Sequence, residues 1–170
     1  MRCLMACLAI SFCLACGDDD ASDAADAAPV DQVAEGCKHL EYGPNVEVNA
    51  DPAEDTMIMT VHQRYDLTLA SGADGNVGRL TFHSEGGEHY LFLDRDVPLA
   101  LTDSTGATVE PMHVHHMPAS CAQAATVMHV MFPQGMYVFD FGPTSETMLQ
   151  MAVHRPVTDS SDPHMHSSHE

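Results

Sequence analysis

Between residues 57 and 69 the apolar side chains fall on odd positions, Met57, Met59, Val61, Tyr65, Leu67 and Leu69. Polar residues stand between them, Thr60, His62, Arg64, Asp66 and Thr68, with Ile58 and Gln63 as the exceptions. A period of two predicts a strand with one buried face, and it assigns Met57 and Met59 to the core. Further strands are expected over 46–48, 77–83, 89–93, 97–101, 108–115, 126–132, 137–141 and 148–154. Turn-forming residues separate most of them: Ser71 to Asn76, Glu85-Gly86-Gly87, Asp103-Ser104-Thr105-Gly106, Pro133-Gln134-Gly135 and Gly142-Pro143-Thr144. Short strands at this spacing, with no long stretch of period 3.6, predict an all-β domain. The expected architecture is an antiparallel β-sandwich or jelly roll of about eight strands over 37–158.

The segments outside that domain read differently. Met1 and Arg2 precede an apolar run from Cys3 to Ala15 broken only by Ser11, then Cys16-Gly17-Asp18-Asp19-Asp20. A positive start, a short apolar stretch and a small residue before a cut describe a secretory signal peptide, here 1–15, too short to span a bilayer. Leu14-Ala15-Cys16-Gly17 resembles the lipobox of bacterial lipoproteins, with Cys13 where an aliphatic residue is usual. The resemblance implies that Cys16 is lipidated and anchors the chain in the bacterial cell envelope, on the periplasmic or outer surface. From there to Gly36 the chain is dominated by Asp and Ala, a composition that cannot bury enough surface to offset chain entropy, so 16–36 is expected to be a disordered, charged tether. Residues 159–170 are equally polar and form an expected disordered, His-rich tail.

Removing the signal removes Arg2 and no acidic group, so the formal charge moves from −19 to 5 − 25 = −20 with histidine neutral. Lys38, Arg64, Arg79, Arg95 and Arg155 are scattered, which argues against nucleic acid as a partner. The acidic surface attracts cations in a generic way. Of six cysteines, only Cys37 and Cys121 lie in the folded part. In an exported domain such a pair usually forms a disulfide; a free thiol and a thiolate ligand are the alternatives. Closing a loop of 84 residues stabilises a fold by roughly 4 kcal/mol in the chain-entropy picture.

Three segments carry a family likeness. Gly87 to Leu93, Val97 to Gly106 and Gly135 to Gly142 resemble the bacterial pre-peptidase C-terminal domain, with its "strand, Asp, small residue, Gly" and "Gly, x, Tyr, strand" patterns. The resemblance implies a small β-sandwich of a secreted protein and no particular activity.

The densest chemistry is Met112-His113-Val114-His115-His116-Met117. Alternation along a strand puts His113 and His115 on one face and Met112, Val114 and His116 on the other. Imidazole suits copper or zinc, and thioether sulfur adds a preference for Cu(I). His164, Met165, His166 and His169 form a second set in the tail. The remaining histidines of the domain, including His39, His62, His83, His89, His129 and His154, read as surface or hydrogen-bonded residues. No GxSxG elbow, HExxH helix or Gly-rich phosphate loop is present. The expectation is therefore an envelope lipoprotein whose non-catalytic β-sandwich binds copper or zinc through these clusters. The competing reading is an interaction module for an envelope protein or glycan, with no metal.

Overall fold

The computed structural model describes residues 31–156. Eleven strands form two facing sheets: β1 (Asn45–Asn49), β2 (Met57–Ile58), β3 (Gln63–Thr68), β4 (Ala70–Gly72), β5 (Gly75–Ser84), β6 (Gly87–Leu93), β7 (Leu99–Asp103), β8 (His113–His116), β9 (Thr126–Phe132), β10 (Gly135–Thr144) and β11 (Met148–His154). The first sheet runs β1-β3-β11-β6-β9-β8 and the second β2-β5-β10-β7, with β4 paired to β5. The fold is the expected sandwich. It is antiparallel throughout except at two edges, where β1 lies parallel to β3 and β2 parallel to β5.

The core follows from alternation. Leu91 and Leu93, Val130 and Phe132, and Leu149, Met151 and Val153 point inward from the first sheet to meet Leu80, Phe82, Phe139 and Phe141 of the second. Burying each such side chain stabilises by about 1.5 to 3 kcal/mol. Phe82, Phe132, Tyr137 and Phe139 form an aromatic centre with ring separations of 4.5 to 5.9 Å. At the β7 corner, Asp103 accepts hydrogen bonds from the backbone of Thr105 and Ala107, and Gly106 takes φ 84°. That is the local chemistry behind the "Asp, small residue, Gly" pattern.

Two expectations are corrected. The single strand over 57–69 is two strands in different sheets, and the chain crosses between them at 59–62. The crossing inverts the parity: Ile58 is 3% exposed, whereas Met57 and Met59 are 48% and 65% exposed. The 108–115 strand likewise shrinks to His113–His116.

The second correction concerns the expected tether. Residues Gln32–Tyr42 form a helix, α1, that begins inside it. Asp31 caps it by accepting from the Val33 and Ala34 amides at 3.0 and 3.1 Å. Val33, Cys37 and Leu40 make an i, i+4, i+7 stripe that packs on Phe92, Val127 and Ala152 of the first sheet's outer face. A Cβ on Gly36 would overlap the Phe92 ring and come within 3.0 Å of the His154 Cβ, so this glycine lets the helix sit close. Cys37 and Cys121 are bonded, with 5.5 Å between their Cα atoms, and clamp the helix to the loop before β9. Among the described residues, no helix is long and apolar enough to cross a membrane. The signal segment, Cys16, His164, Met165, His166 and His169 lie outside the described residues.

Candidate metal centre

Where α1 meets the first sheet, three histidines from distant parts of the chain converge. His39 comes from the last turn of the helix, His62 from the crossing segment before β3, and His154 from the end of β11. His62 Nδ1 stands 3.0 Å from His39 Nε2 and 3.2 Å from His154 Nδ1. One nitrogen from each ring lies within 4.8 Å of the other two. Two imidazole nitrogens on a tetrahedral zinc, each about 2.0 to 2.1 Å from the ion, stand about 3.3 Å apart. The two short contacts are already close to that spacing.

With all three rings neutral, one proton cannot serve both short contacts. His154 Nε2 donates to the Gln32 carboxamide oxygen at 3.1 Å, which in the neutral ring leaves Nδ1 as a lone pair aimed at His62. His62 Nδ1 then faces two nitrogens and has at most one proton to share. A cation resolves the conflict, and the Gln32 contact is the kind of outer hydrogen bond that fixes a ligating histidine's tautomer.

The backbone adds an independent mark. His62 adopts φ 62°, one of two non-glycine residues with positive φ among the described residues, while its amide donates to the Val153 carbonyl at 2.7 Å. The left-handed conformation costs roughly 1 to 2 kcal/mol for a residue with a Cβ, and such strain concentrates at functional positions. Here it turns the imidazole between His39 and His154.

Electrostatics favour the neutral, ligating forms. Burial lowers the pKa of His39, only partly opposed by Glu35. Burial, then the charges of His39 and Arg155, lowers that of His62. His154, 6% exposed, is pushed down to about 4 by burial and by its two histidine neighbours.

The histidines singled out from sequence lie elsewhere. His113 and His115 share a face of the edge strand β8, with rings 6.4 Å apart, and all four residues of the strand are exposed. His116 points the other way, with Nδ1 3.4 Å from Thr126 Oγ1 and 3.6 Å from Asp96. Met112 and Met117 are exposed, 43% and 82%, and flank the strand. Among the described residues, only His39, His62 and His154 bring three histidine, cysteine or carboxylate ligand atoms together this closely. Nothing in sequence spacing marks them, since His62 is 23 residues from His39 and 92 from His154.

Fold and site together define a disulfide-clamped β-sandwich with a three-histidine cluster under its N-terminal helix. No family model and no curated protein matches the chain. Among solved structures it is similar to the pre-peptidase C-terminal domain of a collagenase from Bacillus anthracis, at 11% identity and TM-score 0.36, over 59% of this chain and 94% of that one. It is also similar to PliG of Salmonella Typhimurium, a periplasmic inhibitor of g-type lysozyme, at 13% identity and TM-score 0.33, over 65% and 98%. At such distances neither protein's activity bears on this chain.

Proposed function

We propose that the chain is an exported, lipid-anchored β-sandwich that holds a transition metal ion, zinc or copper, at His39, His62 and His154, without catalysing a reaction. The observation that carries this reading is the convergence of three imidazole nitrogens within 4.8 Å of one another, with two of the contacts near the spacing of a tetrahedral site. The left-handed backbone of His62 supports it, because that conformation costs stability and such strain concentrates at functional positions. The lipobox-like Leu14-Ala15-Cys16-Gly17 supports lipid anchoring, and the bonded Cys37 and Cys121 fit an oxidising compartment.

Three protein ligands leave one coordination position for water or an exogenous donor. The reading stays with binding because Glu35, whose charge reaches His39 and His154, is tied to Lys38 at 2.6 Å and faces solvent. The test is the metal content of the mature chain purified without an affinity tag, followed by zinc and copper titration. One equivalent bound at submicromolar affinity, and retained after deletion of 159–170, is the expected result. Absence of binding would leave an anchored sandwich whose role lies in contacts with an envelope protein or glycan.

A further inference from the structure

The outer face of the first sheet holds a second concentration of ring nitrogens. Strand register places four aromatic side chains in one transverse row, because His154 pairs with Tyr90, Tyr90 with His129, and His129 with His113. These are directly opposed positions on neighbouring strands, so all four side chains share the face that α1 partly covers. Tyr90 and His129 stack at 4.4 Å with an interplanar angle of 3°. Beyond them the His113 and His129 rings stand 5.9 Å apart, with His115 next to His113 on the same face.

His129 is the informative member. Its side chain is 13% exposed, and its Nε2 is buried with no hydrogen-bond partner among the described residues. The nearest counter-group, Glu88 Oε2, stops 3.7 Å away, beyond hydrogen-bond reach. An unpaired buried imidazole nitrogen costs about 1 to 3 kcal/mol, and a bound cation is one way to relieve it. The geometry suits one. Two imidazoles on a single ion, with metal–nitrogen bonds of about 2.0 Å, have ring centres about 5 to 6 Å apart. Stacking on Tyr90 fixes His129, whereas His113 and the 43%-exposed Glu88 side chain are free to turn inward.

We infer that His113, His129 and Glu88 form a second transition-metal site, open to solvent at the β8 edge, that takes Cu(II) or Zn(II) through two imidazoles and a carboxylate. One fixed ligand and two mobile ones make it weaker than the histidine triad, since ordering His113 and Glu88 costs side-chain entropy. The site stands independently of the triad. A bound ion lies on the order of 15 Å from one at the triad, given strands about 4.8 Å apart.

The experiment is Cu(II) titration of the full mature chain, followed by calorimetry and electron paramagnetic resonance. In the triad variant His39→Ala/His62→Ala one equivalent remains, with a nitrogen-coordinated Cu(II) spectrum. In the otherwise unaltered chain, His113→Ala, an exposed change that spares the fold, weakens the second equivalent at least tenfold and leaves the first intact. Glu88→Gln weakens it severalfold. His116→Ala, on the opposite face, changes neither. With both sites filled, dipolar coupling between the two Cu(II) ions reports their separation. The inference is overturned if no second equivalent binds, if it survives both His113→Ala and His129→Ala, or if deleting 159–170 removes it. Loss of the first equivalent alone overturns the triad reading and leaves this one standing.

Discussion

The triad beneath α1 and the His113–His116 edge strand both concentrate imidazole, yet the backbone treats them in opposite ways. Along an extended strand, same-face neighbours are two residues and so about 6.6 Å apart. The 6.4 Å between the His113 and His115 ring centres is that spacing expressed, beyond the about 5 to 6 Å between the ring centres of two imidazoles on one ion. At the triad, a helix end, a strained crossing and a strand end bring three nitrogens to 3.0 and 3.2 Å. Adjacency in sequence spreads side chains along a strand; only tertiary packing closes them on a point. A run of histidines is therefore a poorer guide to a tight site than histidines from three separated elements.

The largest effect expected from that difference is in affinity. Replacing His39 and His62 by Ala weakens the tightest zinc equivalent by about 10,000-fold, since each lost ligand costs at least as much as losing its outer support, which reaches about 100-fold. The paired change His113→Ala/His115→Ala leaves that equivalent within about threefold, as distant sites act independently. Competition titration against a chelator of known affinity measures both. The reverse pattern would return the principal site to β8.

Next in size is the clamp. Cys37→Ser/Cys121→Ser releases the loop of 84 residues and lowers folding stability by about 4 kcal/mol. Because the bond holds the helix carrying His39, zinc at the triad weakens in the folded fraction while the β8 edge is unaffected. Denaturant unfolding with and without zinc separates these two consequences.

Both regions show how far the sequence carried. Strands such as Thr126–Phe132 and Met148–His154 were legible because they are short, mostly apolar runs set off by turn residues, and they carry Val130, Phe132, Leu149, Met151 and Val153 into the core. The crossing at 59–62 was not, because apolar residues continue on odd positions while the chain changes sheets, and Val61 and Tyr65 hide the switch. The helix did leave a trace, in the Asp31 cap, the Val33, Cys37 and Leu40 stripe, and Gly43-Pro44 as a stop. The Asp and Ala tract before it masked that trace. No local pattern encodes the triad, which depends on Gly36 letting the helix approach His154 and on a left-handed His62.

The smallest effect is in pH. All three triad histidines have pKa values depressed by folding, His154 to about 4. Each therefore binds its proton more readily unfolded than folded, so metal-free stability is complete above about pH 6.5 and falls as the pH drops towards 4. His154 alone contributes a loss of roughly 3 kcal/mol across that window, at about 1.4 kcal/mol per pH unit. Thermal unfolding of the metal-free chain between pH 7 and 4 measures the slope, and His154→Gln flattens it. An equal slope in the variant would place the acid sensitivity outside the triad.

Diffraction at the zinc edge from crystals loaded with one equivalent of zinc locates the ion outright. The strongest anomalous peak is expected about 2 Å from His39 Nε2, His62 Nδ1 and His154 Nδ1 together. A strongest peak at the β8 edge or on the tail, with the triad empty at full loading, would contradict it.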